Sequence, residues 1–193
     1  MARKYELKRR AERQDETRQS IIDATVALHT SIGPARTSIR AIAERAGVQR
    51  HTVYRHFPDE QILYLACSGQ YSEQHPLPDP AAWQTITDPE RRLRHGLALL
   101  YDYFAENSEA LLPIVRDAPL DKATRELFEL RFGPQIDAIR DALIEPFHAR
   151  GVRKTRMIAL LMVFLDLQTW LNLSRTLHQP EILDLAVRAL RAQ

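Results

Sequence analysis

Apolar residues recur at helical spacing along almost the whole of this 193-residue chain, and no stretch alternates apolar and polar as a half-buried strand would. Ile21, Ala24, Thr25 and Leu28 stand at i, i+3, i+4 and i+7, with Ile22 and Val26 widening the stripe, so an amphipathic helix is predicted over about 16–31. Gly33 and Pro34 stop it. A second helix is predicted after Thr37, read as its N-cap, burying Ile39, Ile42, Ala43 and Ala46 and ending at Gly47. Only Gly47, Val48 and Gln49 separate it from a third short helix over 50–56, and Pro58-Asp59 opens a fourth through Leu63, Leu65 and Ala66.

The run His75-Pro-Leu-Pro-Asp-Pro cannot be helical and marks a connector. Asp88 and Pro89 then suit the N-cap and first position of a helix carrying Leu93, Leu97, Leu100, Tyr101 and Phe104, which Asn107-Ser108 is expected to interrupt before a short apolar piece over 110–115. A helical pattern over 120–147 is expected to break or bend at Gly133-Pro134 and end near Pro146. One helix over 153–177 follows, apolar nearly all round, and a last one over 181–192 has acids in its first turns and arginines in its last. The fold class expected is all-α, about nine helices, with a 1–62 head and a 63–193 helical domain. The excess apolar surface of the last two helices suits a helix-pair dimer interface, or burial in a monomer core.

Charge changes this picture. Residues 1–57 hold 12 Lys+Arg against 6 Asp+Glu and residues 58–193 hold 15 against 19, so a formal +2 conceals a basic front of +6 and a body of −4. A basic segment of this kind points to a polyanion, nucleic acid or a membrane surface, or is a solvated tail. The longest apolar run, Met157 to Leu165, is too short to cross a bilayer, which takes about 20 residues. The basic N-terminus lacks the apolar region of a secretory signal, and the single Cys67 suits a reducing cytoplasm.

The stretch Thr37 to Phe57 has the logic of a helix-turn-helix. Ala43 is small where two helices approach, Gly47 stands where the turn needs positive φ, and Ile42, Val48 and Val53 close the core beneath. The outer side of the third helix then offers Gln49, Arg50, His51, Thr52, Tyr54, Arg55 and His56, all hydrogen-bonding and none acidic. Arginine can grip guanine, glutamine can pair with adenine and the threonine methyl can touch thymine in a major groove.

From Arg18 to Leu63 these residues resemble the DNA-binding domain of TetR-type transcriptional repressors, in Thr37-Ser38-Ile39-Arg40, Ile42-Ala43, Ala46-Gly47-Val48, Thr52-Val53-Tyr54 and His56-Phe57. The resemblance implies a homodimeric regulator in the cytoplasm that binds a palindromic operator and is released by a small-molecule effector. It implies that Thr37, Ser38 and Arg40 anchor phosphates, that Gln49, Arg50 and Thr52 face bases or adjacent backbone, and that Tyr54 and His56 touch phosphate. His51 and Arg55 share that surface. Three departures stand out: His29 occupies a usual aromatic position, Pro58-Asp59-Glu60-Gln61 lacks the lysine that normally opens the fourth helix, and His51 replaces a small residue. A basic arm of Arg3, Lys4, Lys8, Arg9, Arg10 and Arg13 would offset that loss by reaching phosphates or a minor groove.

Other chemistry finds little support. No two of the six glycines are closer than 14 residues, so a Gly-rich phosphate loop is excluded. The one Glu-x-x-His, Glu145 and His148, has no second copy to make a di-iron site. No catalytic group, metal or cofactor is therefore expected. Tyr101, Phe104, Phe128, Phe132, Phe164 and Trp170 are candidates for an apolar ligand pocket or ordinary core. A DNA-organising protein without an effector, and an all-α enzyme or carrier, stay as alternatives.

Overall fold

The computed structural model describes residues 2–120 and 122–193, without the side chains of Ala2, Arg3, Lys4, Leu7 and Ala123. Among the described residues there are nine α-helices and no strand: α1 (Ala2–Ser31), α2 (Ile39–Arg45), α3 (Arg50–His56), α4 (Glu60–Gln74), α5 (Pro89–Asp117), α6 (Lys122–Ile144), α7 (Gly151–Phe164), α8 (Leu167–Leu173) and α9 (Gln179–Arg191). Two compact units divide them, one of Met1–His75 with Glu109–Arg131 and one of Pro76–Ser108 with Phe132–Gln193.

In the first unit α1 packs on α2 and α4, and α2 on α3. Ile21, Ile22, Ala24, Ile39, Ile42, Ala43, Val53, Phe57, Leu63 and Cys67 form its core. α1 begins fourteen residues earlier than the apolar stripe predicts, because 2–15 contain neither glycine nor proline and are rich in the helix formers Ala, Glu, Gln, Lys and Arg. The Lys8–Glu12 pair supports that stretch at i,i+4. The expected separate arm is therefore a continuation of the helix; the Arg3 and Lys4 side chains of that expectation lie outside the described residues. Asp59, where a basic opening was missed, caps α4 by accepting the Gln61 N–H at 2.9 Å.

In the second unit α7 packs on both α8 and α9. Two expectations about the long helices are corrected, and of the break or bend expected at Gly133-Pro134 the break is. Asn107 does not interrupt α5: its amide donates to the Tyr103 carbonyl at 2.9 Å and the side chain is buried. Gly133-Pro134 lies inside α6 without ending it. The helix expected over 153–177 is two, bent by 65° after Phe164. The Tyr101 hydroxyl donates to the Phe164 carbonyl at 3.1 Å, and Asp166 starts α8 by accepting the Thr169 N–H at 2.7 Å. Among the described residues no single helix is long and apolar enough to cross a membrane.

Candidate nucleic-acid interface

The head is built from short elements whose ends are chemically marked. Ser38, rather than Thr37, caps α2; its Oγ accepts the Ala41 N–H at 3.2 Å and keeps its own proton. The Thr37 hydroxyl instead donates to the Gly33 carbonyl at 2.8 Å. Donation to a phosphate thus needs no rearrangement at Ser38 but requires Thr37 to leave Gly33.

At the other end of α2 the Val48 N–H reaches the Ala43 carbonyl at 2.9 Å and the Gly47 N–H reaches the Glu44 carbonyl at 3.3 Å, two bonds that close a helix through a left-handed residue. Gly47 holds φ at 69°, and a Cβ there would meet nothing within 4 Å. Backbone conformation, not crowding, asks for glycine. Ile42 and Val53 are fully buried below the turn, and the Arg18 guanidinium lies 4.9 Å from the centre of the buried Phe57 ring.

With that side committed, α3 and its cap turn Gln49, Arg50, His51, Tyr54 and Arg55 outward, while Thr52 and His56 are half-buried. Arg40 is exposed on α2 and pairs with Glu44 at 2.8 Å, a solvated contact that a phosphate can displace. Burial, followed by the charges of Arg55 and Arg18, holds the His56 imidazole below its usual pKa. At neutral pH His56 is thus a neutral hydrogen-bonding group. Its Nε2 is buried without a protein partner.

The loop between α1 and α2 is held by a pair that local spacing did not single out. Asp117, its side chain 2% exposed, accepts the Ala35 N–H at 3.0 Å. Arg116 donates to the Ile32 carbonyl at 2.8 Å and to Asp117 at 2.7 Å. Gly33 sits beneath them with φ at 95°, where a Cβ would collide with Asp117 Oδ2. The hydrogen bond from Arg116, offset in part by burial, then holds the Asp117 carboxyl below its usual pKa. No local pattern marks the pair, because Asp117 and Ala35 are 82 residues apart in sequence.

His29, which stands at a usual aromatic position, is buried and satisfied on one side. Nδ1 lies 3.7 Å from Cys67 Sγ, Tyr64 meets the ring edge-on, and Nε2 has no partner. Desolvation, partly opposed by Asp117, lowers its pKa to about 4. Burial pushes the Cys67 thiol up to about 12, which leaves it a packing residue.

The second unit gathers most of the expected aromatic pocket residues. Trp170 lies 5.8 Å from Phe104 and 6.4 Å from Tyr101 between ring centres, and Tyr101 bonds the Phe164 backbone. Tyr101, Phe104 and Phe164 are buried and Trp170 half-buried. Phe132 belongs to the same unit, whereas Phe128 counts with the first. Among the described residues no group of three or more His, Cys, Asp and Glu is placed to hold a metal ion.

Residues 21–67 match the family of bacterial regulatory proteins of the tetR type. Over 176 residues, 88% of this chain and 79% of the relative, the sequence is 26% identical to the HTH-type transcriptional activator FasR of Mycolicibacterium smegmatis. Over 64 residues, 33% of this chain and 31% of the relative, it is 39% identical to the HTH-type transcriptional repressor KstR of the same organism. The fold is similar to that of a TetR transcription regulator from Haloarcula marismortui, with a TM-score of 0.61, 21% identity, and coverage of 93% of this chain and 98% of that one.

Proposed function

From the premise that this chain is a TetR-like transcription regulator, a tetR-type helix-turn-helix head on an all-helical body, we propose that it binds a palindromic operator as a homodimer and is released by a small-molecule effector. The observation that carries this reading is the exposed, acid-free side of α3, closed at its start by a turn that only a left-handed glycine relaxes. Arg50 and Gln49 read base edges, with Thr52 and His51 beside them. Ser38, Arg40, Tyr54, Arg55 and the neutral His56 set the register on phosphates, and Thr37 joins them by exchanging its bond to Gly33.

The head, residues 1–62, acts on DNA, and residues 63–193 supply dimerisation and effector binding. Val152, Met162, Val163 and Leu185 leave apolar side chains exposed on α7 and α9, which supports pairing with a second copy through residues 153–192. A two-fold dimer holds its recognition helices one DNA turn apart, about 34–36 Å. An aromatic, apolar effector suits the cluster of Tyr101, Phe104, Phe164 and Trp170, with Phe132 of the same unit a further candidate; Phe128 belongs to the first unit. Such an effector weakens DNA binding only by its differential affinity for two states of the dimer. FasR is named an activator and KstR a repressor; repression is the sign proposed. The site of action is the cytoplasm, where the DNA is.

Selection of bound sites from a random duplex library tests this reading. Recovery of one palindrome is the expected outcome, and binding without sequence preference overturns it.

A further inference from the structure

The backbone groups that Arg116 and Asp117 take up belong to a segment open to water. Ile32 and Ala35 are exposed, and only Gly33 and Pro34 between them are buried. Water can serve the Ile32 carbonyl and the Ala35 N–H, because exchanging a hydrogen bond to protein for one to water changes stability only modestly. A carboxylate with 2% of its side chain exposed is in addition a costly way to close a loop, even beside a guanidinium. What fixed partners supply here, and water does not, is position.

Position matters because the loop leads directly into the start of α2. The Arg36 N–H donates to the Gly33 carbonyl at 3.3 Å and the Thr37 N–H to the Pro34 carbonyl at 3.0 Å, so Ala35 and Thr37 belong to one bonded turn. Pro34, with its fixed φ, stiffens it. Ser38 comes next, and its Oγ caps α2. A shift of Ala35 therefore carries Thr37, Ser38 and the first turn of α2 with it. Asp117 itself is buried and has the sign of a phosphate, so its own side chain is no DNA contact.

We propose that Asp117, together with Arg116, is a positioning residue for operator binding. By holding Ala35 and Ile32 the pair sets the α1–α2 loop so that Thr37, Ser38 and Arg40 meet the DNA backbone in register. That role rests on the operator-binding reading above and adds to it a residue that stays off the DNA.

The test uses the full-length protein and a duplex recovered by its own selection, with each backbone phosphate in turn replaced by an uncharged methylphosphonate. Wild type loses affinity at each phosphate it contacts, and those at which R40A no longer shows the loss belong to α2. D117A is expected to bind the unmodified duplex about tenfold more weakly, the worth of one hydrogen bond to a charged group. Its sensitivity falls at the α2 phosphates and stays that of wild type at all others. In the same way D117A adds little to the loss caused by R40A but adds fully to that caused by R50A. Binding-competent protein is counted by stoichiometric titration, so unfolded molecules do not enter the affinity. D117N, which keeps the shape and an oxygen for the Ala35 N–H, stands in where D117A does not fold, with the same pattern at a smaller loss. Unchanged affinity overturns the proposal, as does a loss spread evenly over all phosphates or one fully additive with R40A. Failure of the wild-type protein to recover any site overturns the operator-binding reading itself, and this proposal with it.

Discussion

The head and the second unit are both all-helical, yet they are specified differently. In the head, the seven residues of α2 lie between the Ser38 cap and Gly47, and both of its ends are explained by chemistry within a few residues of them. In the second unit, helix ends and continuities depend on groups far away in sequence: Tyr101 receives the end of α7, and Arg92 ties the segment before α5 to the end of α6. Local rules therefore suffice where elements are short and punctuated. They fail where long helices have several possible stopping points and packing selects among them.

The largest effect that probes this comparison is expected at Arg92. Its buried guanidinium donates to the carbonyls of Gln84, Ile86 and Ala142 and to Glu145. Arg92→Ala leaves these acceptors without their donor and should cost about 3–5 kcal/mol, read from chemical denaturation. A cost below about 1 kcal/mol would mean that the unit does not depend on this long-range tie.

Gly33→Ala asks whether the head has a long-range dependence of its own. A Cβ would collide with Asp117 at a φ of 95°, so a loss of about 2–4 kcal/mol is expected. Gly47→Ala, with open space around it, should cost only about 1–2 kcal/mol from its left-handed backbone. Equal costs at the two glycines would show that Asp117 does not constrain the loop.

His29 sharpens the comparison through pH. Its folded pKa, about 4 against an ordinary 6.5, lies below the unfolded one, so the unfolded state binds more protons between them. Stability from the neutral imidazole is present above pH 6.5 and is lost as pH falls toward 4, by up to about 3 kcal/mol. His29→Phe should flatten thermal stability across that interval. A slope identical to wild type would assign the acid sensitivity to other groups.

Arg50→Ala tests the exposed face rather than the fold. We expect a loss of about 1–3 kcal/mol in operator affinity, relaxed preference at one base pair and an unchanged melting temperature. Equal losses on operator and random DNA would remove its base-reading role.

Much of the candidate interface was legible because its signals are local. The 3.6-residue period, Gly47 and the absence of acids from 48–58 together bring out Gln49, Arg50, His51, Tyr54 and Arg55. Local spacing offers Thr37 as the cap of α2 because two hydroxyls stand side by side, and only the fold chooses Ser38. The apolar stripe of α1 ends near residue 17 although helix propensity does not, so periodicity alone leaves the extension out of the helix. Arg116 and Asp117 left no signal, since their partners come from 32–35.

By itself the sequence determined the all-α class, the helix-turn-helix and the identity of its outward residues, since periodicity, caps and glycine conformations act over one or two turns. Tertiary structure alone decided that α5 runs through Asn107, that the apolar segment after Arg153 bends at Leu165, and that Asp117 fastens the loop before α2. Those outcomes depend on which distant donor or acceptor is brought alongside a backbone group, and burial leaves such groups no water as a substitute.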